Sequence, residues 1–158
     1  MRFLIELRFL GNHFHFLIRV RSEKELRQLV PKTNEKPLYW HVSNGFSSLF
    51  QSYTRAMNKM YSRTGPLFES PFKRKKVIDD AYFSRLVIYI HQNPQKHGLV
   101  KDFRDYPHSS FHSFLTEKSS TRLKRKEVLD WFGGKEGFEK AHRLEASNLS
   151  EEWLLEDH

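Results

Sequence analysis

An α+β fold is the class that this 158-residue chain predicts, on three observations. Residues 13–20 alternate between two side-chain classes, as a half-buried strand does. Phe46, Leu49, Phe50, Tyr53, Met57 and Met60 recur at the spacing of one helix face. The elements come in the order strand, strand, helix, helix, strand, helix, which mixes both periods along one chain.

Residues 3–10 are mostly apolar and β-prone, and Gly11-Asn12 offers a turn into a second strand over 13–20. There Phe14, Phe16, Ile18 and Val20 take one face, and His13, His15, Leu17 and Arg19 the other. Ser22-Glu23-Lys24-Glu25 is a capping box and predicts a helix over 23–30. Pro31 to Pro37 reads as a polar loop. Ser43 or Asn44 would cap the longer helix that carries the Phe46-to-Met60 stripe, with Arg55, Lys59 and Arg63 off it and Gly65-Pro66 as its stop. Leu67 to Val77 reads as a strand with basic residues near its end. Asp79-Asp80 would cap a third helix, from Ala81 to Gln92, stopping before Asn93-Pro94. Gly98 to Pro107 is read as loop, and Ser109 to Leu115 as a short helix or irregular. Ser119-Ser120 reads as a hinge. Val128, Leu129, Trp131 and Phe132, then Gly133-Gly134, then Phe138 and Ala141 predict two short C-terminal helices.

Composition narrows the function. With 14 Phe, 6 Tyr and 3 Trp the chain has the bulk for a core and is unlike a disordered sequence. No apolar run approaches the roughly 20 residues of a membrane span. Met1 to Arg8 has charges inside its apolar stretch and lacks a small-residue cleavage site, so it does not read as a signal peptide. Without Cys there is neither a disulfide framework nor a thiolate metal site, and a reducing cytoplasmic setting is expected. The net charge is +8, but the segment 145–158 holds five acids and no Lys or Arg. Residues 1–144 therefore set 27 cations against 14 acids, or +13. A basic body with an acidic tail points to a polyanion, nucleic acid before an acidic membrane. The clearest basic clusters are Lys73, Arg74, Lys75 and Lys76, and Arg122, Lys124, Arg125 and Lys126, each of which also reads as a plain solvated face.

Two pairs could carry chemistry. His13 and His15, one residue apart on a strand, point the same way with Cα atoms roughly 6.5–7 Å apart and could share one divalent metal. The plain alternative is two surface histidines on a half-exposed strand. Tyr89 and Asn93 stand four apart on the third helix and share a face with Tyr82 and Leu86. Their plain alternative is a core aromatic and a helix-ending residue before Pro94.

Four segments together resemble the HUH single-tyrosine transposases. Asn12-His13-Phe14-His15-Phe16-Leu17-Ile18 is similar to their P-N-H-x-H-L-L segment, with Gly11 in place of the usual Pro. Gly65-Pro66-Leu67-Phe68-Glu69-Ser70-Pro71-Phe72 is similar to their G-x-L-[FW]-x-x-x-[FY] strand. Tyr89 to Val100 resembles Y-I-H-x-N-P-V-K-x-G-L-V, and Tyr106 to Phe111 resembles Y-P-W-S-S-[YF], with His108 in place of Trp. The order is kept over about residues 9–115, and the nearest subgroup is the REP-associated tyrosine transposases, which act on palindromic repeat hairpins in bacterial chromosomes.

This resemblance implies a ferredoxin-like antiparallel sheet with helices on one face, lacking the family's first strand and helix. It implies a catalytic domain over 1–116, followed by a C-terminal helical extension with an acidic tail over 117–158. His13, His15 and, by carry-over, Asn93 would hold Mg²⁺ or Mn²⁺, and Tyr89 would be the nucleophile. Lys73, Arg74, Lys75, Lys76 and Lys96 would face DNA, offset phosphate charge and favour the tyrosinate. The implied activity is nicking and rejoining of single-stranded hairpin DNA through a 5′-phosphotyrosine link, with no nucleotide cofactor. The implied place is the bacterial nucleoid. A homodimer would cover the apolar surplus of residues 3–10. Two other readings stand beside it: a truncated or domesticated relative that binds hairpin DNA without cutting it, and a basic structural or RNA-associated protein.

Overall fold

The computed structural model describes residues 7–10, 13–29, 36–68, 76–77, 79–116 and 123–144, with the backbone alone at 7–10, 13, 14 and 38. These residues form two compact units, one within 20–76 and one combining those of 2–19 with those of 77–158.

In the first unit the capping box forms as the sequence predicts. Ser22 N donates to Glu25 Oε2 at 2.8 Å and Glu25 N donates to Ser22 Oγ at 3.3 Å, and helix α1 (Glu23–Leu29) follows. Helix α2 (Leu38–Met60) begins earlier than Ser43 or Asn44 would place it. Its N-cap is Pro37, whose fixed φ of −59° suits a helix start and whose missing N–H costs nothing there. The helix stops before Gly65-Pro66, where Ser62 takes a positive φ of 49°. Asn58 Nδ2 then donates to the Gly65 carbonyl at 2.8 Å and holds the exit. The Phe50 and Tyr53 rings of the apolar stripe meet Phe68, at 5.1 and 5.9 Å between ring centres.

The second unit starts with an antiparallel hairpin, β1 (Leu7–Leu10) and β2 (His13–Phe16), in which Leu7 lies opposite Phe16 and Leu10 opposite His13. That register leaves two residues between the strands, 11–12, which lie outside the described residues. Strand pairing ends at Phe16, so the alternation over 13–20 is a strand only in its first half. Leu17, expected on the face away from the phenylalanines, is buried in the core.

Helix α3 (Asp80–Lys96) is the axis of this unit. The Asp79 side chain caps it by accepting Tyr82 N at 2.6 Å. It does not stop before Asn93-Pro94 but runs through Pro94 for another half turn. The stop is Gly98, at φ +69°: Gly98 N donates to Gln95 O at 3.0 Å and Leu99 N to Pro94 O at 2.8 Å, the paired bonds of a Schellman end. A 3-10 turn (Phe103–Asp105) and helices α4 (Phe111–Leu115), α5 (Arg125–Trp131) and α6 (Lys135–Leu144) complete the unit. Val87, Tyr89 and Ile90 of α3 share one buried cluster with Phe103, Phe111, Phe114, Val128 and Phe138. Trp131 Nε1 donates to Ser84 Oγ at 2.9 Å and pins α5 to the first half of α3.

The expected ferredoxin-like sheet, with or without a missing first strand, is therefore corrected. Among the described residues the chain is mostly helical, and its only ladder is the two-stranded β1–β2 pair. The physical reason is visible in the core: α3 meets the two-stranded hairpin at Tyr89, while Val87, Ile90 and His91 pack among aromatic rings of the other helices. Of the strand expected over 67–77, Leu67 and Phe68 form a bend, Lys76 and Val77 are not strand, and 69–75 lie outside the described residues. Helices α5 and α6, read above as part of an extension, belong to the same unit as α3. The Ser119-Ser120 hinge and the acidic tail lie outside the described residues. Among those residues no helix is long and apolar enough to cross a membrane.

Candidate active site between the hairpin and the third helix

Tyr89, Asn93 and Lys96 stand at i, i+4 and i+7 of α3 and so share one face. The hairpin brings His15 to that face. The His15 and Tyr89 rings meet edge to face, 5.8 Å between centres at 77°. His15 Nε2 lies 3.4 Å from Asn93 Nδ2, across 78 residues of chain. Lys96 is exposed, and its Nζ sits 5.3 Å from the centre of the Tyr89 ring, within reach of a cation–π attraction. Tyr89 is 3% exposed and Asn93 is fully buried.

The structure thus brings together His15, Tyr89, Asn93 and Lys96. His13 belongs to β2, opposite Leu10, but its side chain lies outside the described part. So do Lys73, Arg74 and Lys75; Lys76 is exposed and belongs to the unit within 20–76.

The fit to a divalent metal turns on Asn93. Its Oδ1 is buried and has no hydrogen-bond partner, a costly state for a neutral acceptor. Asn93 Nδ2, not Oδ1, faces His15 Nε2, so the pair would offer a divalent metal such as Mg²⁺ or Mn²⁺ its neutral O and N donors with the amide turned over, which would also give Oδ1 a partner. Among the described residues no group of three or more His, Asp, Glu or Cys clusters as metal ligands. His15 and Asn93 would serve as two ligands, and His13 is the third that the sequence resemblance implies.

Behind Tyr89, on the opposite side of α3, lies a buried polar chain that sequence reasoning missed. His91 Nδ1 is 2.7 Å from His142 Nε2 of α6, and His91 Nε2 is 3.1 Å from Ser110 Oγ. His142 Nδ1 is 2.7 Å from the Phe138 carbonyl, which can only accept. Burial pushes the His142 ring down to about 4, so at neutral pH it is uncharged. The hydrogens are then assigned in one direction: Ser110 donates to His91, His91 to His142, and His142 to Phe138 O. Gln92 adds a second grip, donating from Nε2 to the His142 carbonyl at 2.7 Å. Ser110–His91–His142 has the connectivity of a nucleophile relay. The rings of Phe111, Phe114 and Phe138 stand edge-on to His91 at 5.5, 5.8 and 5.6 Å and shut it from any substrate. The signal that could have found it is the i, i+4 pair Phe138 and His142, which sets a histidine on the apolar stripe of α6.

No protein-family model, curated protein or solved structure matches the chain.

Proposed function

We propose that the protein is a DNA-binding transposase that nicks and rejoins single-stranded hairpin DNA, with Tyr89 as nucleophile and His15, Asn93 and His13 as metal ligands. The observation that carries this reading is the meeting of His15, Tyr89 and the partnerless Asn93 Oδ1 on one face of α3. When bound, Mg²⁺ or Mn²⁺ supplies charge that polarises the scissile phosphate. Tyr89 Oη gives up its proton and bonds to phosphorus, the bond from phosphorus to the 3′ oxygen breaks, and that oxygen leaves as a hydroxyl. The 5′ phosphate stays on Tyr89 until a 3′ hydroxyl attacks it and restores a phosphodiester. One phosphoester bond replaces another at each step, so no nucleotide cofactor enters. Lys96, over the Tyr89 ring, offsets negative charge on the phenolate and on the phosphate. Lys73, Arg74, Lys75 and Lys76 add phosphate contacts along the strand. The setting that suits this chemistry is the nucleoid of a bacterial cytoplasm, and a homodimer would serve two DNA ends.

A second reading has its own observation. Tyr89 is 3% exposed, so a strand reaches it only after side chains around it turn aside. A chain in which they do not would bind hairpin DNA without cutting it. Incubation with a hairpin oligonucleotide and Mg²⁺ or Mn²⁺ separates the two. Wild type is expected to cut, Tyr89→Phe to bind without cutting, and His15→Ala or Asn93→Ala to cut at least about tenfold more slowly. Binding by wild type with no cutting in either metal selects the second reading. Preference for duplex RNA over single-stranded DNA overturns both.

A further inference from the structure

We propose that His142 is a positioning residue: through His91 it fixes the rotation of α3 about its axis, and so sets where Tyr89 and Asn93 meet His15. The consequence for cleavage rests on the function proposed above, whereas the placement of the rings does not.

His91 lies two residues from Tyr89 and two from Asn93, so at 100° per residue it faces away from both. α3 is thus held from two opposite sides, by His15 on one and by His142 on the other. Apolar contacts alone fix an axial rotation poorly, because they are non-directional. Side chains stand about 6 Å from a helix axis, so a turn of only about 20° moves a side-chain tip by about 2 Å. A shift of that size ends a 3.4 Å contact such as that between His15 and Asn93. Hydrogen bonds tolerate a few tenths of an ångström, so the 2.7 Å bond between the two imidazoles holds the rotation where the phenylalanine cage would not.

The chain is built to act as one unit. Its direction is set at the far end by the Phe138 carbonyl and reaches α3 with no free choice of donor. Gln92 grips the carbonyl of the same residue, so two successive residues of α3 hold His142. Among the described residues, the side chains packed on the imidazole pair include six: Phe103 of the 3-10 turn, Ser110, Phe111 and Phe114 at α4, Phe132 after α5, and Phe138 of α6. None of these six carries a charge to compete for the ring nitrogens.

The test separates rigid placement from mere stability. His91→Phe/His142→Leu removes both imidazoles together and takes from the buried Ser110 hydroxyl and the Phe138 carbonyl the partners they have there. We expect it to fold and to melt within about 10 °C of wild type. We also expect it to lose the nuclear Overhauser contact between the His15 and Tyr89 rings. Its affinity for Mn²⁺, read from paramagnetic broadening of the His15 signals, should fall at least about tenfold. His142→Gln, whose side-chain oxygen can still accept from His91, should keep both signals. Should the double variant not fold, His142→Asn, whose shorter side chain withdraws the acceptor from His91 Nδ1, serves instead, and a weakened ring contact there supports the proposal. A folded double variant, or a folded His142→Asn, with the ring contact unchanged overturns it. The ring contact needs neither metal nor DNA. Failure of wild type to bind Mn²⁺ would count against the proposed function alone, and the positioning role would then be decided by the ring contact.

Discussion

His142 is uncharged at neutral pH because folding takes it out of water, and that makes stability depend on pH with a definite sign. Its folded value is about 4 against 6.5 for an ordinary imidazole. Between those values the unfolded chain binds the proton and the folded chain does not. The contribution is therefore complete above pH 6.5 and is lost as pH falls toward 4. At 1.36 kcal/mol per unit the whole loss is about 3 kcal/mol. Thermal melts at neutral and mildly acid pH should show a steeper fall for wild type than for His142→Gln, and equal slopes would remove this account of the ring. Residues differ in how legible they were in the sequence. Tyr89 and Asn93 could be paired from helical spacing alone, and His15 was singled out by its neighbour His13. His142 could not be paired, because its partner is 51 residues away and neither ring lies in a pattern that announces the other.

At the level of elements, the starts at Ser22 and Asp79 were readable, whereas the start of α2 and the stop of α3 were not. The capping boxes and caps at Ser22 and Asp79 are local hydrogen bonds, so short stretches of sequence contain them whole. Pro94 misleads because losing one backbone donor is tolerable where the helix has only half a turn left and its last carbonyls are taken by the Gly98 turn. Gly98 is then the residue that matters: Gly98→Ala should cost about 1 kcal/mol, since φ is +69° there. Gly137 is stricter, for a different reason. A Cβ there would stand 1.8 Å from the Phe132 carbonyl oxygen, which belongs to backbone and cannot swing away. Gly137→Ala should push α6 off the turn that follows α5 and destabilise the fold by about 2–3 kcal/mol in urea titrations. A variant as stable as wild type would show that α6 can move away from the Phe132 carbonyl at no cost.

At the scale of the whole molecule, charge was legible and architecture was not. Net charge is a sum over the sequence and needs no fold. The helix period of 46–60 was real and the strand period of 13–20 was real only over 13–16, but whether a strand finds neighbours depends on the rest of the chain, and here α3 packs largely on helices. The charge carries a prediction of its own. Removing 145–158 takes away five acids and raises the net charge from +8 to +13. Affinity for a single-stranded oligonucleotide at about 50 mM salt should rise, and should fall more steeply toward about 200 mM. Unchanged affinity would mean that the tail does not bear on nucleic acid. The account as a whole stands on Tyr89 being the atom source of a covalent bond to DNA. Mass spectrometry of proteolysed protein, after exposure to a hairpin oligonucleotide with Mn²⁺, tests this most directly. The prediction is a nucleotide-bearing phosphate on the Tyr89 peptide and on no other, absent from Tyr89→Phe. DNA that binds and is cut with Tyr89 left unmodified, or an adduct on a different tyrosine, would contradict it.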